Sequence, residues 1–336
     1  MRVTGGSDLA RLQALQKQAF ATRNRLDTAA QEMTSGLKAS RFAATGGNLT
    51  RLFALERSLD RNAVFTETIS LSELRLEVMQ ESLGQILKPA EGLAIDLIDS
   101  VNKGDLAASR LHATTARREF AATVGILNGQ VAGQSLFAGA ATDSPALAAA
   151  DAILADLDAL AAGAPDAAAA IAAIDAYFAR PAGAFYATGY VGATDDLTPV
   201  EIGDGQRLDY GVRADRDELV GVLRAQAMAA VVAGGAFAGS AADQMALLGE
   251  AGARMLAAKE GILDLRAAVG SQQEAVERAK AQRVSERDTL ELARSKIMAT
   301  DPLEAASAYQ ALEVQLEAIY TVTSRLAGLR FANFIR

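Results

Sequence analysis

Two apolar stripes, one near each end of the chain, constrain its fold more than any other feature. Leu12, Leu15, Ala19, Thr22, Leu26, Ala29 and Met33 advance in steps of three and four. Tyr309, Leu312, Leu316, Ile319, Leu326 and Leu329 recur at the same helical spacing and lead to Phe331 and Phe334. That spacing puts each set on one side of a helix. Asp301-Pro302-Leu303-Glu304 opens the second helix. An aspartate at the N-cap accepts an orphan N–H, proline in the first turn needs no donor, and the glutamate closes a capping box. Two seam-bearing helices at opposite ends predict a chain folded back on itself, its termini meeting as a coiled coil.

The region between them is also mostly helical. The first helix is expected from about residue 7 to 37, where Ser35-Gly36 ends the stripe, and Gly46-Gly47 makes a second break. A helix from Leu49 carries Leu52, Leu55 and Leu59 into Phe65 and Ile69. Leu76, Met79, Leu83, Ile86, Ala90, Leu93, Leu97 and Val101 continue the alternation through Pro89, a candidate kink. After a turn at Asn102-Lys103-Gly104-Asp105, another helix is expected to carry Phe120, Val124, Leu127 and Val131 and to end at 133–139. The most regular seam runs Ile262, Leu265, Val269, Gln272, Val276, Ala279, Arg283, Glu286, Leu290, Ala293, Ile297. Its polar members weaken the seam and are of the kind that fixes register or partner choice.

Composition shifts between residues 138 and 240, which hold four of the six prolines, four of the six tyrosines and no lysine. Short alanine-rich helices are expected at 146–162 and 166–178, then strand and turn over 186–212. Val200 and Ile202, then Leu208, Tyr210 and Val212, alternate around Gly203-Asp204-Gly205, which signals a hairpin. Helix returns over 217–232. The expected fold is mainly α: a long antiparallel helical, coiled-coil bundle formed by the N- and C-terminal regions, with an inserted α+β domain containing β-hairpins. The expected domains are residues 1–40 with 300–336, residues 41–139 with 240–299, and the insert at 140–239.

A net charge of −8 over 336 residues argues against general binding to nucleic acid or an anionic membrane. The Arg117-Arg118 pair reads as solvated surface. The absence of cysteine excludes disulfides, zinc thiolates and thiol catalysis. The opening Met1-Arg2-Val3-Thr4-Gly5-Gly6-Ser7 lacks the apolar core of a secretory signal, and no apolar run is long enough to span a bilayer. By targeting signals alone the chain reads as cytoplasmic, unless its export reads no cleavable signal.

Enzymatic chemistry has little to stand on. His112 is the single histidine. Ser35-Gly36-Leu37-Lys38 matches the Ser-x-x-Lys pattern of penicillin-recognising enzymes without its companion motifs. Asp195-Asp196 and Asp215, Asp217 and Glu218 lack calcium-loop spacing and read as a solvated acidic surface. Asn48-Leu49-Thr50 fits a glycosylation acceptor, a three-residue pattern of little weight. The chain is therefore expected to be no enzyme, with no catalytic residue, cofactor or metal.

The terminal stripes carry the functional reading. Burying a leucine gains roughly 1.5–3 kcal/mol, while fixing the backbone costs about 1–2 kcal/mol per residue. Two helices sharing one narrow, alanine-rich seam are marginal alone. They are expected to order by packing against neighbouring subunits. The candidate assembly residues are Leu12, Leu15, Leu26, Met33, Leu312, Leu316, Ile319, Leu326, Leu329, Phe331 and Phe334.

Three segments resemble the flagellin family, whose helical terminal regions bracket a variable middle. Gln31-Glu32-Met33-Thr34-Ser35-Gly36-Leu37-Lys38 is similar to the Leu-Ser-Thr-Gly segment closing the first helix. Gln134-Ser135-Leu136-Phe137-Ala138-Gly139 resembles the Phe-x-Gly turn that leads into the insert. Asp301-Pro302-Leu303-Glu304-Ala305 matches the Asp-x-x-Glu-Ala opening of the last helix. The likeness covers roughly 1–139 and 240–336. It departs at Arg41-Phe42-Ala43-Ala44-Thr45-Gly46-Gly47-Asn48, where the family has a Ser-Asp-Asp-Pro-like loop. The opening Met1-Arg2-Val3-Thr4 and the ending Leu329-Arg330-Phe331-Ala332-Asn333-Phe334-Ile335-Arg336 resemble hook–filament junction subunits more than filament subunits.

The resemblance implies a structural subunit exported through the flagellar type III apparatus without a cleavable signal, cytoplasmic before export and extracellular after it. It implies ring assembly with copies of itself, hook-associated protein 1 and flagellin as neighbours, and an export chaperone on the C-terminal helix. Flagellin is the nearest alternative, a cytoplasmic coiled-coil adaptor the second.

Overall fold

The computed structural model describes residues 5–334, with side chains described over 10–326. It divides into two units, residues 1–63 with 284–336 and residues 64–283, and both boundaries fall inside long helices.

In the first unit, α1 spans Gly5–Ser35 and a single turn, α2, spans Arg41–Ala44. The long α3, Thr50–Asn102, starts here. The end of α8, Ala241–Met298, and all of α9, Pro302–Phe334, complete it. Helices α3, α2 and α9 each start on a side-chain cap. Asn48 Oδ1 accepts from the Thr50 amide at 3.0 Å, Ser40 Oγ from Ala43 at 3.3 Å, and Asp301 Oδ1 from Leu303 at 2.8 Å. Helix α1 stops at Ser35 because Gly36 turns into the left-handed region, with φ +69°.

In the second unit, α3 runs unbroken through Pro89 and lies antiparallel to α8. Ion pairs of Glu73 with Lys280 at 2.8 Å and Glu91 with Lys259 at 2.6 Å tie the two helices. The expected seam is the buried one: Leu76, Met79, Leu83, Ile86, Ala90, Leu93 and Leu97 leave solvent, as do Ile262, Leu265, Val269, Val276 and Ala279. Helix α4, Leu106–Leu127, adds Phe120, Val124 and Leu127 to this core. It ends earlier than its apolar pattern predicts. Asn128 closes it, and Val131 lies instead on β1, Gln130–Val131, hairpin partner of β2, Gln134–Ser135. Ala132 and Gly133 at the tip both have positive φ, which no helix accommodates.

The insert begins after these strands. Helix α5, Ala150–Ala162, starts later than expected because Leu147 is drawn into an antiparallel bridge with Tyr190. Helix α6, Ala167–Tyr177, is capped by Asp166, whose Oδ1 accepts from Ala169 at 2.8 Å. The strand expected from residue 186 is a short π-helical turn, Phe185–Gly189. Phe185 is fully buried there, its ring 5.0 Å from that of Phe178, and this packing winds the backbone. The hairpin of β3, Val200–Gly203, and β4, Gln206–Leu208, forms as the alternation predicts. Helix α7, Asp217–Ala233, is buried almost all round and packs on α4. The described residues are thus mainly α, long helices of the N- and C-terminal regions with two small antiparallel β-hairpins, one just before the insert and, unlike the several expected, one within it.

Candidate assembly surface

Helices α1 and α9 pack against each other within the first unit. They are fastened where α1 ends: Leu37 and Ala299 form an isolated antiparallel bridge. The Lys38 amide donates to the Met298 carbonyl at 2.7 Å and the Thr300 amide to that of Gly36 at 3.0 Å. Glu32 Oε1 accepts from the Ala39 amide at 2.8 Å and holds the departing strand. The bridge forces antiparallel pairing and sets which turns of the two helices meet.

The structure brings the predicted stripes together only partly. On α1, Thr22 and Ala29 are buried, Leu12, Leu15 and Leu26 are half-buried, and Met33 is exposed. On α9, Ala305 and Ile319 are buried, whereas Leu312, Leu316 and Leu326 are half-buried. Leu329, Phe331 and Phe334 lie outside the residues whose side chains are described, and Ile335 and Arg336 outside the described residues altogether. The fully dry positions are thus mostly small, while the leucines keep one flank in water.

The reverse side holds residues that the single-stripe reading missed. Phe20 on α1 is 68 % exposed, and Leu303 and Val314 on α9 are 76 % and 66 % exposed. Tyr320 and Val322 are also in solvent. Leu303 and Val314 stand about three helical turns apart and so share a side, opposite Leu312 and Ile319. Sequence spacing held this signal, but serine and alanine between them make it fainter than the main stripe. Chemically these exposed residues offer apolar area to bury.

The remaining candidates resolve into structural roles. His112 is half-buried on α4. Arg117 is not solvated surface: it grips Asp158 of α5 in a fork at 2.8 and 3.1 Å and reaches the Ala230 carbonyl on α7, while Arg118 is exposed. Asp215 is buried rather than solvated. It accepts from Arg213 at 2.8 Å and pairs with Arg180, while Asp196 holds the other side of Arg213 at 2.9 Å. Burial pushes the neighbouring Tyr190 hydroxyl up to about 12, and the Asp215 charge adds to the effect. Ser35 Oγ accepts from the Leu37 amide at 3.2 Å, a helix-end turn rather than a nucleophile. Among the described residues no group of acids and histidine is arranged to hold a metal ion, and no helix is long and apolar enough to cross a membrane.

No protein-family model and no curated protein matches the chain. Among solved structures it is similar to Bacillus cereus FlgL, known from a crystal structure, with a TM-score of 0.50 and 16 % identity. The match covers 72 % of this chain and 100 % of that one. At this identity the likeness is one of fold.

Proposed function

We propose that this chain is a structural subunit of the bacterial flagellum that joins hook to filament, in the manner of hook-associated protein 3. The observation that carries the reading is the α1–α9 pair, which half-buries its own leucine seam and leaves Phe20, Leu303 and Val314 in water. Each Å² of such surface covered by a neighbouring subunit is worth about 25 cal/mol. A ring of copies supplies that cover, and a lone chain does not. The fold likeness to FlgL and the segments at 31–38, 134–139 and 301–305 support the same reading.

On this reading residues 1–40 and 300–336 build an inner layer, 41–139 and 240–299 a surrounding one, and 140–239 face outward. The assembly face comprises Leu12, Leu15, Leu26, Met33, Leu312, Leu316, Ile319 and Leu326, joined by Leu329, Phe331 and Phe334. The chain acts without catalysis, leaves the cell through the flagellar export route after release from a chaperone on α9, and contacts hook-associated protein 1 on one side and flagellin on the other.

Electron microscopy of flagella from cells lacking the chain tests the proposal. Hooks without filaments, with monomeric flagellin in the medium, are expected. Normal filaments on normal hooks overturn it. Long filaments grown from the purified chain alone assign it instead to the filament.

A further inference from the structure

Arg283 occupies a seam position of α8 where the alternation calls for an apolar residue, and it is 5 % exposed. A buried guanidinium is costly unless its surroundings are polar or aromatic. Its carbon centre sits 5.7 Å from the Phe65 ring of α3. The β3–β4 hairpin also reaches the guanidinium. A Cβ added to Gly203 would lie 3.5 Å from Arg283 Nη2 and 3.0 Å from Gln206 Oε1. The strand backbone at Gly203 therefore lies against the arginine head, and a side chain longer than a methyl there would meet it.

The hairpin is seated from below by Ile202 and Leu208, both buried. A second post stands just beyond β4. The Tyr210 ring lies 5.6 Å from the Arg75 guanidinium of α3, and Arg75 Nη2 donates to the Ser135 and Leu136 carbonyls at 2.7 and 3.0 Å. The hairpin region therefore touches α8 at Arg283 and α3 at Arg75, each time through a buried arginine.

We infer that the β3–β4 hairpin is a brace on the α3–α8 pair, with Arg283 and Arg75 as its two posts. It stiffens the stretch where the helical seam is weakened by polar residues. Without the hairpin, Arg283 meets water and the local helix pair opens more often. The brace does not depend on the flagellar reading.

Hydrogen exchange read by mass spectrometry tests this on the full chain carrying Arg283→Met or Gly203→Leu. Methionine keeps the apolar stem and helix propensity, whereas leucine at 203 pushes the hairpin off and leaves every helix residue in place. Exchange over 64–70 and 276–283 is expected to rise about tenfold in both, with 90–98 and 252–262 unchanged, as for a local opening. Unchanged exchange over 64–70 and 276–283, or equal acceleration along the whole pair, overturns the brace. Should Arg283→Met fail to fold, Gly203→Leu decides.

Discussion

Leu37 and Ala299 face each other in an isolated antiparallel bridge, so the linker leaving α1 and the linker entering α9 share one backbone clasp. The clasp depends on Gly36, whose φ of +69° is left-handed and whose missing Cβ would meet nothing within 4 Å. Adding a methyl there is free of collisions, so only backbone strain opposes it. Gly36→Ala is expected to destabilise by about 1 kcal/mol. Gly92 sits inside α3 with equally open surroundings and no positive φ. Gly92→Ala is expected to stabilise by about 0.5–1 kcal/mol. Denaturant midpoints of the two variants give the comparison, and equal signs would mean the clasp does not hold Gly36 as described.

The Glu73–Lys280 pair has a pH signature. A hydrogen bond from Lys280 holds the Glu73 carboxyl below its ordinary value of 4.5, and the same bond raises Lys280 above its ordinary 10.5. A depressed carboxyl contributes stability above its unfolded value and loses it as pH falls through the folded one. A raised ammonium contributes below its unfolded value and loses it as pH climbs through the folded one. The wild type should therefore exceed Glu73→Gln in urea midpoint across neutral pH. The gap should narrow below about pH 4.5 and again above about pH 10.5. Both side chains are more than a third exposed, so the gap is also expected to shrink in high salt. A gap constant with pH and salt would refute a charge-based tie.

Much of this architecture is legible from periodicity alone. Leu76 through Leu97 and Ile262 through Ala279 sit where steps of three and four place them, because a helix buries one side whatever its partner. The Asp204-Gly205 turn is equally local. What escaped depends on backbone turns and side-chain contacts that helical spacing does not encode. Val131 has helical spacing with Leu127, yet positive φ at Ala132 and Gly133 makes it a strand. Phe185 winds a predicted strand because Phe178 lies beneath it. Arg117 reads as surface until Asp158, 41 residues on, closes its fork. On the candidate assembly surface the half-buried seam is plain in the sequence, whereas the Leu303 and Val314 side is faint, since nothing in one chain demands a second partner.

The assembly reading makes the terminal helices conditional on neighbours. In dilute monomer, amides over 10–35 and 305–326 are expected to exchange far faster than those over 76–97, whose side chains form the core of the second unit. The α1–α9 seam, built on Thr22, Ala29 and Ala305 with half-wet leucines, stores too little burial to match that core. Hydrogen exchange at falling protein concentration measures this directly. Strong protection of both terminal segments in the monomer would remove the energetic reason for a partner.

Val314 separates folding from assembly. It is 66 % exposed and lies on the side of α9 turned away from the α1 seam, so glutamate there displaces no buried group. Helix propensity does not oppose the change, and Val314→Glu should leave monomer stability within about 0.5 kcal/mol. In an assembly that covers this face, each copy would bury an unpaired carboxylate, which several subunits in a ring multiply. Cells carrying Val314→Glu are therefore expected to secrete the chain yet fail to grow filaments on their hooks. Leu316→Glu, in the seam itself, should also lower the helicity of the purified monomer by circular dichroism. Normal filaments from Val314→Glu would mean that this side of α9 faces water in the assembled state, leaving the leucine seam as the sole adhesive face.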